Sequence, residues 1–538
     1  MPHVDSKFDI RTLPGDSRRK TALLIAPPVY DTQYWSQWSQ PYGLLRISSL
    51  LKKHCYKRIE LFDFMEVTDG QRVHQHRINV GESYAESDEP RRPILPYVIT
   101  KPGDPDRLEL FKYHFGKTWQ EFDQWLEAKG FTPKRPPTEI WISAVMTYWW
   151  ESVRDLIAHL RLRLGKRPRI LLGGIYPTLA PTHAARMTQP DIVVAGEVEE
   201  ANDLWTDLSV YDTAPSYAIV TPGRGCPFDC AYCAQKTLNM GRSTVHFRPV
   251  DDIYAEMLHK WERFGIRDFA FYSDFLLWRF ERNFIPLLER VAASRDPFFR
   301  LYAPEGLDVK LLSQSQRLVD LLKEAHFQKI YLPCESIDDE YVRSLNRKHV
   351  RLIDFVRAAQ MCERAGFSLR NLDVNAFALY GLPGESVDRV VKTILFVSEI
   401  VGSIIPMLFT PVPSTLLYGQ LLPFIQERGW DRDLHMLNGK LFPFLAMNEG
   451  SVRDYVDMQR LMFALNAHYR NESFSMFGTN RVAVALRENL GNGFGGFIDQ
   501  YSDAARESSH EPLPYVAANS LATLNLEISL SDSTTHDS

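Results

Sequence analysis

The sequence predicts an α/β protein made of a doubly wound parallel sheet, then an open six-stranded β/α barrel, then a mostly helical C-terminal region. Three observations carry this expectation. Short apolar runs alternate with helical patterns twice over, first in residues 20–200 and again from 217 to 410. The runs are almost continuously apolar, as strands covered on both faces are. The chain has 538 residues, 45% hydrophobic and 24% charged, enough for two to four domains with real cores. That composition excludes a wholly disordered chain, a collagen-like repeat and a small disulfide-stapled scaffold.

In order along the chain, residues 1–19 read as an N-terminal extension and 20–210 as the first α/β unit. Its strands are expected at 21–27, 58–64, 139–145, 169–174 and 191–196, with helices such as 43–54 and 151–164 between them. A ligand of such a sheet sits beyond the carboxyl ends of its strands. Residues 65–137 form an insertion far longer than a usual crossover. It reads as a small packed subdomain with a helix over 117–129, since Trp119, Phe122 and Trp125 share one face.

The barrel is expected over 211–420. Its strands are predicted at 217–221, 268–274, 298–304, 329–335, 372–380 and 404–410, and its helices at 250–264, 281–293, 315–326, 352–366 and 386–402. An active site would be built from the loops that follow the strands. Residues 421–507 read as mostly helical, and 508–538 as a disordered tail rich in Ser, Thr, Asp and His. The uncharged run from Ile400 to Gln426 contains four prolines, which suits a strand and loop rather than a membrane span.

Lysine and arginine number 62 against 67 acidic residues, a net charge of −5, so no basic field exists to hold nucleic acid or an anionic membrane. No signal peptide is visible in MPHVDSKFDIRTLPGDSRRK. Six cysteines are sparse and unevenly placed: Cys55, Cys226, Cys230, Cys233, Cys334 and Cys362. This pattern predicts a cytoplasmic enzyme in a reducing compartment.

The decisive segment is Gly223-Arg-Gly-Cys226-Pro-Phe-Asp-Cys230-Ala-Tyr-Cys233, directly after the first barrel strand. Thiolates are soft ligands for zinc or iron–sulfur clusters. A zinc site usually needs a fourth Cys or His at a matching offset, and no second CxxC exists. Three thiolates in C-x3-C-x2-C can instead hold three irons of a [4Fe–4S] cube and leave the fourth open.

On these residues the chain resembles the radical S-adenosylmethionine (SAM) enzymes, whose hallmark is this motif after the first barrel strand with an aromatic residue, here Tyr232, before the last cysteine. The likeness spans about 217–420. It implies that Cys226, Cys230 and Cys233 ligate a [4Fe–4S] cluster, that the open iron takes the amino and carboxylate groups of SAM, and that Tyr232 lies near adenine. It further implies SAM contacts from Asp274, in place of the family's Gly-Gly-Glu, and from Glu335 and Ser336, followed by Asn346-Arg347-Lys348. Gly381–Glu385 and Thr410–Thr415 complete the resemblance and either touch SAM or shape loops.

The first α/β unit resembles the cobalamin-binding domain that precedes many such barrels, as in class B radical SAM methyltransferases. The likeness lies in Gln40–Leu45, in Ile142 and Ser143 through Thr147, in Leu172-Gly173-Gly174-Ile175-Tyr176 and in Val194-Ala-Gly196-Glu197. It implies cobalamin contacts from Ser143, Thr147, Gly173, Gly174, Gly196 and Glu197. The signature D-x-H-x-x-G is absent, so no histidine is expected on the lower face of cobalt.

Other motifs read as decoys. Gly491–Gly496 satisfies G-x-G-x-x-G without a surrounding βαβ unit, and His74 and His76 read as a surface pair. Cys55 and Cys362 read as core thiols, Trp149 and Trp150 as core or cofactor neighbours, and Cys334 as adjoining the active face.

The resemblance implies a cobalamin-dependent radical SAM methyltransferase. One SAM would methylate cob(I)alamin, and a second would yield the 5′-deoxyadenosyl radical that abstracts hydrogen from an unactivated carbon. Its partners would be a small-molecule or natural-product substrate and a low-potential donor such as flavodoxin or ferredoxin. The same cofactors also serve rearrangement or oxidative cyclisation without methyl transfer, and a SAM- and cobalamin-binding sensor is a third class. No catalytic side chain is assigned by the sequence.

Overall fold

The computed structural model describes residues 2–34, 38–66, 91–294, 296–369 and 373–469. The Gly491–Gly496 motif, His74, His76, the 508–538 tail and the second half of the expected helical region lie outside them.

The first unit is a six-stranded parallel sheet in the spatial order Arg58–Asp63, Thr21–Ala26, Glu139–Ser143, Arg169–Gly173, Ile192–Val194, His3–Asp5. Ala22, Leu23, Leu24 and Ile25 are fully buried, as a central strand covered by helices on both faces requires. The chain winds one way from Thr21–Ala26 to Arg58–Asp63 and the other way through Glu139–Ser143, so a ligand crevice opens between the ends of Thr21–Ala26 and Glu139–Ser143. All five expected strands form. The expected N-terminal extension adds a sixth, because His3–Asp5 pairs with Ile192–Val194 at the sheet edge.

The insertion holds its expected helix, Trp119–Ala128, started by a reciprocal cap in which Thr118 Oγ1 accepts from Glu121 N at 3.1 Å and Glu121 accepts from Thr118 N at 2.6 Å. Phe122 is fully buried, with Trp119 and Trp125 packed beside it. The insertion also contains an antiparallel hairpin, Arg91–Thr100 with Arg107–Phe115, extended by Val29–Asp31.

The second unit is a parallel sheet in sequence order: Tyr217–Val220, Asp268–Phe271, Arg300–Tyr302, Phe327–Cys334, Val374–Tyr380 and Ile404–Leu408. Helix Val250–Phe264 has its expected bounds and stops at Gly265, whose φ of +72° suits glycine. The expected helix 281–293 is broken at Phe284 into Phe280–Asn283 and Ile285–Ala293. Beyond the barrel, helices Leu416–Glu427 and Val452–Tyr469 flank three short 3₁₀ turns, so the stretch between them is less helical than expected. Among the described residues no helix is long and apolar enough to cross a membrane.

The open edge of the barrel is closed by the first unit. Gln40 docks on the first barrel strand like an added strand: its Nε2 donates to Tyr217 O at 2.7 Å and its Oε1 accepts from Ile219 N at 3.2 Å. Trp38 packs on Tyr302 and Tyr217, with ring centroids 4.4 and 4.9 Å away. Loops beyond the carboxyl ends of the two sheets also touch: Arg224 pairs with Glu197, and Ser414 Oγ donates to Leu179 O.

A buried charge network supports this junction. Glu256 accepts from Arg248 at 2.8 Å and from Lys260, and Arg46 of the first unit reaches Thr221 close by. Burial pulls Arg46 down to about 10, while its cationic neighbours Lys260 and Arg248 hold Glu256 at about 2 against the cost of burial. Replacing Glu256 with Ala would leave Arg248 and Lys260 buried without their shared carboxylate. A loss of about 3–5 kcal/mol in urea unfolding is expected.

Asp63 shows the opposite sign. Burial raises it from 3.8 to about 7, although Met65 N and Tyr211 OH donate to it. Its charge costs stability: the cost is absent below about pH 4, grows as pH rises to about 7 and is full above that. Asp63→Asn keeps a carbonyl acceptor and removes the charge. It is expected to match wild type at pH 4 and to gain on the order of 2–4 kcal/mol at pH 8, read as a higher melting temperature.

Candidate functional site

The three motif cysteines lie in the loop after Tyr217–Val220, at the barrel mouth. The loop is folded by its own backbone: Cys233 N donates to Cys230 O at 3.0 Å and Ala231 N to Leu345 O at 2.8 Å. Gly225 has φ +105°, and a Cβ there would stand 2.3 Å from Thr244 O, so only glycine fits. Burial raises the thiols of Cys226 to about 12 and Cys230 to about 11, and raises Cys233 as well; each of the first two is raised further by charge on the neighbouring cysteines. The three are thus within electrostatic reach of one another, and metal binding would release their protons.

Among the described residues no three His, Cys, Asp or Glu side chains converge as one metal ion requires. A cubane places each thiolate on a different iron, and three thiols spaced around one tight loop fit that demand.

Asp274, which follows Asp268–Phe271, is spent on the cluster loop. Its Oδ1 accepts from Arg224 Nη1 at 2.9 Å and its Oδ2 from Gly225 N at 2.7 Å, and its side chain is 2% exposed. Arg224 also pairs with Glu197 at 3.0 Å, and Arg242 pairs with Glu197. Glu197, expected beside cobalamin, therefore ties the first unit to the cluster loop. Gly196 serves the same contact: its φ is +121°, and a Cβ would meet Met240 Sδ at 2.7 Å.

Glu335, just past Phe327–Cys334, accepts from Tyr232 OH at 3.2 Å and pairs with Arg347 Nε at 3.1 Å. The structure thus brings Tyr232, Glu335 and Arg347 together and fixes the phenol over the motif loop. Ser336 is buried and accepts from Asp338 N at 3.1 Å, which shapes the turn. Glu385 accepts from Gly381 N at 2.8 Å and from Tyr455 OH at 3.1 Å, so that segment braces its own loop. In the last segment, Thr415 caps helix Leu416–Glu427 and Ser414 Oγ reaches Leu179 O of the first unit at 3.0 Å.

The strand ends of the first unit present Ser143, Gly173 and Gly174, and Gly43 lies in the first turn of helix Tyr42–Lys53. Gly174 has φ +103°, and a Cβ there would lie 2.5 Å from Ala144 O; a Cβ at Gly43 would lie 3.9 Å from Ser143 Oγ. Thr147 is buried at the start of the following turn. Val145 and Met146, directly beyond Glu139–Ser143, are 42% and 39% exposed. A glycine-lined crevice with exposed apolar side chains fits a large flat ring with apolar faces.

Cys362 is fully buried as expected, and Cys334 is buried at the end of its strand. Cys55 is a correction: it is exposed, because it follows the last turn of helix Tyr42–Lys53 at φ +58° rather than lying on its inner face. Trp150 is buried and donates to Asp433, and Trp149 donates to Asp31 at 2.9 Å. Sequence reasoning passed over Gln40's docking role, Arg224, and Glu305 at the end of the third barrel strand. The only local signal for Glu305 was a Glu-Gly pair closing an apolar run.

Residues 220–397 match the model of the radical SAM superfamily. No curated protein is significantly similar to the chain. Two solved structures illustrate the shared fold. One is the radical SAM methyltransferase TsrM from Kitasatospora setae with tryptophan substrate and the SAM analogue aza-SAM bound, at TM-score 0.53 and 13% identity over 75% of this chain and 76% of that one. The other is the cobalamin-dependent SAM radical enzyme OxsB with aqua-cobalamin and SAM bound, at TM-score 0.52 and 11% identity over 91% and 71%.

Proposed function

Residues 220–397 form a radical SAM domain, whose cofactors are a [4Fe–4S] cluster and SAM; from that premise we propose that the protein is a cobalamin-dependent methyltransferase acting on an unactivated carbon of a small-molecule substrate. The observation that supports the reading is the junction of the two units: Glu197 and Gly196, beyond a strand end of the first sheet, meet Arg224 and Met240, which flank the C-x3-C-x2-C segment in the sequence. The cluster supplies the electron that cleaves one SAM to a 5′-deoxyadenosyl radical, and cobalamin supplies a nucleophilic metal for the methyl group of another.

The residues of this chain do the holding. Cys226, Cys230 and Cys233 would ligate three irons. Asp274 and Arg224 keep their loop in shape, so a SAM contact from Asp274 requires that pair to open. Tyr232, held by Glu335 and Arg347, would lie near adenine. Gly43, Ser143, Gly173 and Gly174 would admit the corrin, with Val145 and Met146 against its face. Glu197 and Gly196 act from the edge, joining the two units.

SAM with a deuterated methyl group tests the reaction type once the native substrate is in hand. Methyl transfer requires label in the product, with S-adenosylhomocysteine and 5′-deoxyadenosine formed together. An unlabelled product with 5′-deoxyadenosine alone selects rearrangement or cyclisation. OxsB, described only as a cobalamin-dependent SAM radical enzyme, shares the fold as well as TsrM does, so this second reading stays in view.

A further inference from the structure

The loop that carries the three cysteines is grasped along its length by another segment of the barrel. Leu345–His349 follows helix Asp339–Ser344, after the fourth strand, and meets the loop residue by residue. Leu345 O accepts from Ala231 N at 2.8 Å, Asn346 Nδ2 donates to Asp229 O at 2.5 Å, and Arg347 Nη1 donates to Tyr232 OH at 3.4 Å. His349 lays its ring flat on Phe228, with centroids 3.4 Å apart and an interplanar angle of 3°. Phe228, Asp229, Ala231 and Tyr232 are thus all held by this one segment. Ala231 is tied on its other side as well, since its carbonyl accepts from Leu417 N at 2.8 Å.

The holding residues are themselves fixed. Asn346 stands at φ +59°, a left-handed conformation that asparagine tolerates better than most residues. The His349 ring is anchored by its Nε2, which donates to Asp308 Oδ2 at 3.2 Å. Asp308 lies beyond the third strand, and its Oδ1 accepts from Leu311 N at 3.0 Å to cap helix Val309–Leu312. Phe228 also meets Phe275 of the loop after the second strand, edge to face, with centroids 5.2 Å apart at 82°. Loops from the second, third and fourth strands therefore converge on one side chain between Cys226 and Cys230. None of these contacts uses a thiol, so the grasp leaves the cysteines to iron.

We propose that Leu345–His349 is a clasp that shapes the cysteine loop before iron arrives, with His349 as its positioning residue. Three thiolates that take three corners of one cube need the backbone between them bent to suit. A loop bent in advance spends none of the metal-binding free energy on its own ordering. The hydrogen bonds from Leu345 and Asn346 fix the backbone at Ala231 and Asp229. The parallel stack fixes the Phe228 side chain, and through it the span from Cys226 to Cys230. His349 acts through Phe228 and touches neither iron nor SAM in this role. This inference rests on the cluster assignment within the proposed function and is independent of whether the substrate is methylated.

Hydrogen–deuterium exchange on metal-free, full-length protein tests the clasp without any variant. The amides of Ala231 and Cys233, bonded to Leu345 O and Cys230 O, are expected to exchange at least about tenfold more slowly than in an unstructured peptide. Exchange at the unstructured rate, with protection gained only on reconstitution with iron and sulfide, overturns the proposal. His349→Ala and Phe228→Ala should each cut the protection several-fold, the scale of one aromatic pair, and slow the growth of the brown chromophore to match. The double variant should do no worse than either single one, because both changes remove the same stack. His349→Phe keeps a flat ring and should recover most of the protection, which separates stacking from the Asp308 hydrogen bond. Single variants equal to wild type, or a His349→Phe variant as unprotected as His349→Ala, contradict the proposal. Iron and sulfide in the reconstituted wild type report on the cluster separately. A chain that protects the loop yet takes up no cluster would count against the functional assignment and not against the clasp.

Discussion

Replacement of Cys226, Cys230 or Cys233 by Ala is expected to remove the brown chromophore and to lower reductive SAM cleavage by about a hundredfold or more. Each thiolate would hold its own iron, so a cube with one ligand missing would lose its anchor rather than a fraction of its strength. No substitute thiol follows in the motif, since the remaining cysteines, Cys55, Cys334 and Cys362, lie far from it in the sequence. Iron and sulfide analysis after anaerobic reconstitution checks this directly, with about four irons per chain expected in the wild type. Cys55→Ala and Cys362→Ala are the controls. One thiol is exposed beyond a helix end and the other is buried in the core, and neither variant should change the iron content. A triple Ala variant that kept its full iron and sulfide would overturn the assignment.

Asp274→Ala should cost nearly as much by a different route. The carboxylate is 2% exposed and receives both Gly225 N and Arg224. Its loss leaves Arg224 with Glu197 alone and frees the left-handed turn at Gly225 that leads into Cys226. Breaking such a buried pair costs about 3–5 kcal/mol, here concentrated in one loop. Iron retention through gel filtration should fall several-fold, and amide exchange across 223–234 should accelerate. Asp274→Asn keeps an oxygen for Gly225 N and should lie between the two. Retention equal to wild type in the Ala variant would show that the brace is dispensable.

What the sequence made legible follows its physics. The barrel strands stood out because strands covered on both faces are apolar without interruption, and Val250–Phe264 had clear bounds because Gly265 ends it. The hairpin Arg91–Phe115 was hidden. Pro93 and Pro96 argue against a strand, and its apolar residues Ile94, Val98 and Phe111 face outward, at 43%, 54% and 44% exposure. His3–Asp5 is too short to carry any periodicity.

The cluster cysteines were legible because their spacing is itself the chemistry. The carboxylates were not, because a residue's role depends on which cation reaches it. Asp274, Glu197 and Glu335 all carry motif positions, yet the fold gives each an arginine partner. Glu305 belongs to no motif, and among the described residues its side chain accepts only from Ser273 N. Gln40 lay inside a quoted motif, but its docking on Tyr217 and Ile219 depends on the open edge of a barrel 177 residues away.

The central claim is that one mouth handles two molecules of SAM by different chemistry. It is tested most directly by counting the fates of SAM in protein reconstituted with iron and sulfide, with and without hydroxocobalamin, under a low-potential reductant. The account predicts one retained corrinoid per chain. It predicts 5′-deoxyadenosine whenever the cluster is intact, and S-adenosylhomocysteine only when the corrinoid is also present. Failure to retain corrinoid, or S-adenosylhomocysteine formed equally without it, would contradict the account.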